Sequence, residues 1–145
     1  MYTVDASVWV NGFDRRELGH ETSRQVLDLL GRRTIAIIVP NLLLAEVAGA
    51  IGRTRNDSAQ ARMFATALAG LPNVTLVPLD DHLSHEALAL AAQHGIRGAD
   101  SVYAAVAVQS GTTLVSLDNE HLTRLADIVP TKTPAAVLAD LVAAS

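Results

Sequence analysis

The stretch G-I-R-G-A-D-S-V-Y-A-A-V-A-V-Q-S-G-T-T-L-V-S-L-D, Gly95 to Asp118, decides the fold. After Asp100 runs an Ala- and Val-rich segment, Ser101 to Ser110, free of Pro and Gly. It reads as a helix opening at Asp100 and closed by Gly111, the residue type best suited to a left-handed C-terminus. Thr112 to Leu117 then reads as a short buried strand, with Asp118 where it ends. One carboxylate thus stands at a helix N-terminus and another at a strand C-terminus. In an open α/β sheet both positions lie at the carboxyl edge of the strands, where ligands bind.

Outward from this stretch the chain alternates short apolar runs with helical patterns. Further strands are expected at Tyr2–Val4, Ile35–Val39 (closed by Pro40) and Val74–Val77 (closed by Pro78), with a last short one at Ile128–Val129. A helix is expected to begin at Ala6, with Ser7 near its start. Another covers Glu21–Leu30 and stops at Gly31; a third, Leu42–Arg53, is capped by Asn41. Asp57 or Ser58 opens the next, to about Leu71, and Asp80 or Asp81 opens one running to His94. Asn119–Ala126 reads as a short helix. Thr133-Pro134 supplies a cap and a first-turn proline for the closing helix, Ala135–Ala144. Strands alternating with helices imply βαβ units and a parallel sheet covered on both faces. The expected fold is a three-layer α/β/α sandwich with a mainly parallel central sheet, one domain spanning 1–145.

Composition narrows the function. The chain has 145 residues, 50% of them hydrophobic, which suits a packed core and argues against disorder. There is no cysteine, so thiolate metal sites and disulfides are excluded. The N-terminus shows no basic, then apolar, leader pattern, and the run Ala104–Val108 is far too short to span a bilayer. A cytoplasmic protein with no membrane association is expected. The net charge of −4 is unpromising for a nucleic-acid binder, yet Lys132 is the one lysine among 11 basic residues. Arg15, Arg16, Arg32, Arg33, Arg53, Arg55 and Arg62 form either a local basic rim or an ordinary solvated surface.

Four acids stand out by position. Asp5 follows the first strand, Asp100 begins a helix and Asp118 follows a later strand. Glu46 lies among Leu42, Leu43, Leu44, Ala45, Val47, Ala48, Ala50 and Ile51. A carboxylate in such company is costly unless paired or metal-bound, or unless it occupies the one solvent face of its helix. Taken singly, Asp100 also fits a helix cap, and Asp5 and Asp118 fit loop-starting residues. If the four converge, two carboxylates about 4 Å apart repel by roughly 4 kcal/mol at an effective dielectric near 20. Such a cluster needs cations, or some of its members must stay protonated. Oxygen donors without cysteine select hard ions such as Mg²⁺ or Mn²⁺, which suit phosphodiester hydrolysis.

Asp5-Ala6-Ser7, Glu46, Gly98-Ala99-Asp100-Ser101 before Ala104-Ala105-Val106-Ala107, and Leu114-Val115-Ser116-Leu117-Asp118 together resemble the PIN domain. More narrowly, they resemble the VapC-type toxin ribonucleases of bacterial toxin–antitoxin pairs. The resemblance runs over essentially the whole chain. It implies a small α/β/α fold and Mg²⁺- or Mn²⁺-dependent endonucleolytic cleavage of RNA. It also implies a homodimer, inhibited by a small VapB-like antitoxin whose tail enters the active-site groove. Asp5, Glu46, Asp100 and Asp118 match the family's catalytic, metal-binding acids. Ser7 and Ser116 match its hydroxyl positions, orienting carboxylates and waters, and Asn11 is expected near the site. Asn119 and Glu120 stand where a further acid is frequent.

No histidine is required as a base. His20, His82, His85, His94 and His121 lack metal-like spacing and are expected at the surface. A PIN-type RNA-processing nuclease outside a toxin–antitoxin pair is the alternative. A receiver-like signalling module fits less well, because Asp5 lacks the adjacent acid and Pro78 stands where an acceptor Asp belongs.

Overall fold

The computed structural model describes residues 1–145. Five strands, β1 (Tyr2–Val4), β2 (Ile37–Pro40), β3 (Val74–Val77), β4 (Thr113–Val115) and β5 (Thr131–Lys132), form one sheet in the order β3-β2-β1-β4-β5. Every neighbouring pair is parallel, with Val4 opposite Val115 and Leu114 opposite Thr131. Eight helices cover it: α1 (Ala6–Phe13), α2 (His20–Arg32), α3 (Leu42–Arg55), α4 (Ser58–Ala69), α5 (Asp81–His94), α6 (Gly98–Ser110), α7 (Asn119–Arg124) and α8 (Pro134–Ala143). The architecture is the expected α/β/α sandwich. No helix is long and apolar enough to cross a membrane.

Strands β1 to β4 are short and mainly apolar because helices cover both faces of a parallel sheet. Val4, Val39, Leu114 and Val115 are fully buried. Burial of each such side chain is worth about 1.5–3 kcal/mol. Helix α6 is apolar on all sides, as a helix enclosed by the protein should be. Ser101 through Ala107 are all buried. It lies against β1, β2 and β4 on one side. On the other, Leu83 and Ala87 of α5 pack against Val102, Ala105 and Val106. The alanines keep α6 close to the sheet, and this brings its first turn to the strand ends. Elsewhere α2 packs on α1 and α8, with Val26, Leu30, Val137 and Leu141 joined to the main core.

The chain leaves β1 for β2 and β3 on one side, then crosses to β4 on the other. The crevice between the carboxyl ends of β1 and β4 is therefore the topological switch point, the usual ligand position in such sheets.

Several boundaries differ from expectation. Helix α2 runs through Gly31, whose added Cβ would meet nothing, and the chain reverses instead at Thr34, with φ 54°. Asn41 makes no side-chain cap. Helix α6 opens at Gly98, so Asp100 lies inside its first turn. The last strand is Thr131–Lys132. Ile128 and Val129 instead form a turn on the Leu125 carbonyl, and Val129 enters the core.

Of the seven arginines read as a possible rim, three have structural partners. Arg16 and Arg55 both reach the buried Asp14, and Arg33 donates to the Leu141 carbonyl. Arg55 also lies over the Phe13 ring, which packs against Phe64. Hydrogen bonds from Arg16 hold the Asp14 carboxyl down at about 2, from an ordinary 3.8. A depressed carboxyl stabilises the fold above its unfolded value, and that contribution is lost as pH falls through the folded value. Asp14→Asn should therefore lower the melting temperature at pH 7 and flatten its fall between about pH 4 and pH 2. A thermal series across that range checks it, and parallel curves for the two proteins would refute it.

Candidate active site

Asp5 sits where β1 becomes α1. An Asp after a strand both turns the chain and caps the following helix. Its Oδ1 accepts from the Ser7 amide at 3.0 Å and from the Ser7 hydroxyl. The same hydroxyl accepts the Leu117 amide at 3.1 Å. The Asp5 amide donates to the Val115 carbonyl at 3.1 Å. Beyond β4, the buried Ser116 hydroxyl accepts the Asp118 amide at 3.0 Å, and Asp118 caps α7 through the Glu120 amide at 2.8 Å. Ser7 thus ties the two strand ends together, while Ser116 shapes the turn that carries Asp118.

Asp100 reaches the same crevice from the first turn of α6. Its Oδ2 accepts from Arg97 Nε at 3.1 Å, and the Arg97 guanidinium also lies 3.7 Å from Asp118. Glu46 comes from α3. Its Oε1 accepts from the Tyr103 hydroxyl at 2.6 Å, a bond that joins α3 to α6 across 57 residues. Beside Glu46 an open groove of about 510 Å³ runs between α1 and α3, lined by Ala6, Ser7, Val10, Ala45, Ala50, Arg53 and Leu117 among others.

His121 stands among the acids. Its Nδ1 lies 2.9 Å from Asp5 Oδ2, and its Nε2 lies 2.5 Å from Asp100 Oδ1 and 3.9 Å from Asp118 Oδ2. The Nε2 contacts have no hydrogen-bond geometry, so that nitrogen is buried without a partner and held by charge. The surface reading holds for His82, His85 and His94 but is corrected for His121, whose side chain is only 11% exposed. One signal for it was available. It is the third residue after Asp118, and the third residue of a capped helix faces back toward its cap. Asn11 is buried, donating to Glu17 at 3.0 Å and to the Leu18 carbonyl at 2.9 Å, and Glu17 lines the groove beside Glu46. Asn119 and Glu120 are exposed at the start of α7.

One of the expected remedies for crowded carboxylates is present. Cations are supplied by His121 and Arg97. The His121 imidazolium is stabilised first by its bond to Asp5 and then by the Asp100 charge. Burial opposes them, and the balance lifts its pKa to about 9. Glu46 is pushed up chiefly by burial. The Tyr103 hydroxyl pulls it down, and the charges of Asp5 and Asp100 push it up again. Burial and the Glu46 charge drive the Tyr103 hydroxyl well above the ordinary range, so it stays a donor. Tyr103→Phe removes that donor, and the Glu46 carboxyl should then titrate at still higher pH. Carbon-detected NMR titration of Glu46 checks this; an unmoved or lower midpoint would contradict it.

The residues fit a hard divalent cation in donor type and charge. Asp5, Asp100 and Asp118 present oxygen atoms to the His121 imidazole, Asp5 at Nδ1 and the other two at Nε2, and Glu46 is near enough to feel two of them. With all four ionised, two cations leave two formal negative charges, matching one divalent ion. In their present positions no three acids or histidines are arranged to hold a metal.

The PIN domain family model matches residues 2–128 of the chain. No curated protein sequence matches it. Among solved structures, it resembles the Mycobacterium tuberculosis toxin VapC20, which cleaves the sarcin–ricin loop. That match has a TM-score of 0.72 at 18% identity and covers 83% of this chain and 92% of the toxin. VapBC2 from Rickettsia felis, bound to a DNA fragment from its promoter, gives a TM-score of 0.67 at 17% identity, covering 91% of this chain and 97% of that one. FitAcB from Neisseria gonorrhoeae gives 0.67 at 19%, covering 93% and 99%. The switch-point acids, the parallel five-stranded sheet and the near-complete family match agree, and this chain belongs to the PIN-domain family.

Proposed function

We propose that the chain, acting as one nuclease domain over residues 1–145, is an endoribonuclease dependent on Mg²⁺ or Mn²⁺. We further propose that it is the toxin of a type II toxin–antitoxin pair. The observation that carries the nuclease reading is the gathering of Asp5, Asp100 and Asp118 around the His121 imidazole between the ends of β1 and β4, with Glu46 beside them. Asp5, Glu46 and Asp100 would hold the principal ion, and Asp118 would complete its shell or hold a second. When bound, the ion supplies an activated water and offsets charge on the scissile phosphate. Ser7 and Ser116 keep the carboxylates in place. Arg97, exposed at the mouth, offers an incoming phosphate a guanidinium.

The toxin reading is supported by family membership and by the likeness to VapC20, VapBC2 and FitAcB. It brings a small VapB-like antitoxin, a homodimeric assembly and a cytoplasmic setting. The purified protein should cut RNA internally in Mg²⁺ or Mn²⁺ and stop on addition of EDTA. Full cleavage in EDTA, or none with either ion, would refute the reading.

A further inference from the structure

The His121 imidazole occupies the point that the carboxylates share. Each ring nitrogen faces a different acid, Nδ1 toward Asp5 at 2.9 Å and Nε2 toward Asp100 at 2.5 Å, with Asp118 3.9 Å from Nε2. A cation bound by Asp5 and Asp100 together has to lie between them, and the ring itself fills that place. An ion bound to one ring nitrogen would lie on one side of the ring and lose an acid. Mg²⁺ and Mn²⁺ also prefer oxygen to imidazole. Ligand and occupant are therefore different roles, and the geometry favours the occupant. Nε2 is held only by the carboxylates of Asp100 and Asp118. Helix α7 carries the residue and is short, spanning only Asn119–Arg124, so the imidazole is anchored chiefly by the acids around it.

We propose that His121 is a built-in competitor of the divalent ion, occupying the cation position between Asp5 and Asp100 and rotating out when the ion binds. This rests on the metal-dependent reading above. The ion meets a competent site only in the fraction of molecules whose imidazole is out. Its apparent affinity is reduced by that fraction, and removing the side chain restores it.

The test is Mn²⁺ binding to the full chain by calorimetry, comparing wild type with His121→Asn and His121→Leu. Tightening on the order of tenfold in either variant is expected, the change for a competent fraction near one in ten. The variants should also melt lower than wild type in EDTA and gain more from Mn²⁺. Unchanged or weaker binding would overturn the proposal, since a ligand or an organiser of the acids loses affinity when removed. In the wild type, diamagnetic Mg²⁺ should shift the His121 ring resonances and release the ring from Asp5; an unmoved ring overturns the proposal without any variant. Binding by wild type that His121→Asn fails to tighten sinks this inference alone. If neither protein binds Mn²⁺, the metal-dependent reading falls with it.

Discussion

Asp100→Asn is expected to leave the protein folded and its RNA cleavage reduced at least about a thousandfold, the scale of removing one preorganised charge-stabilising group. The substitution keeps the shape of the side chain and removes the charge. The fold tolerates it because Asp100 lies at the crevice, its carboxyl partly exposed and its partners the Arg97 and His121 cations. Asp5→Asn should be comparably inactive but less stable, because Asp5 is buried and caps α1. Ser116→Ala removes the hydroxyl that accepts the Asp118 amide and should cost less, on the order of 10–100-fold. His82→Ala and His85→Ala should be near neutral, since both lie exposed on α5. Cleavage rates in Mg²⁺, with circular dichroism as the fold control, test this ranking. His82→Ala as inactive as Asp100→Asn would show that the chemistry lies elsewhere.

The largest expected loss of stability comes from Leu114→Ala. Leu114 lies in β4, fully buried, with Thr3 opposite on β1 and Thr131 opposite on β5. A parallel strand between two neighbours cannot shift to refill a cavity without breaking register on both sides. The cost should be about 2–5 kcal/mol, a large share of the roughly 5–15 kcal/mol that holds a domain folded. At about 3 °C per kcal/mol for a chain of this size, the melting temperature should fall by roughly 6–15 °C. Val142→Ala on the exposed side of α8 should stay within about 0.5 kcal/mol. Comparable losses in the two variants would mean that the core is not organised around β4.

Much of this molecule is legible along the chain because it is local. The Ala- and Val-rich run before Gly111 has the composition of a buried helix, and Gly111 closes α6 in a left-handed conformation. Asp57, Asp80 and Thr133 cap their helices through amides three residues on, as short-range chemistry dictates. Asp5 and Asp118 are recognisable because each follows an apolar strand, and strand ends are where an α/β sheet collects its ligands. The order of elements alone was enough for a parallel, helix-covered sheet.

The charge balance of the site was decided in three dimensions. Tyr103 meets Glu46 across 57 residues, and His121 meets Asp5 across 116. No periodicity or spacing marks such pairs, because they exist only once α6 is laid on the sheet and β4 is placed beside β1. The same distance effect gave Asp14 its partner Arg55, 41 residues away. By itself the sequence determined the sheet, its helices and the chemical type of the four acids. The tertiary structure alone decided which cation stands among them, because carboxylates crowded at a switch point are stabilised by whichever positive group the folded chain places within a few ångströms.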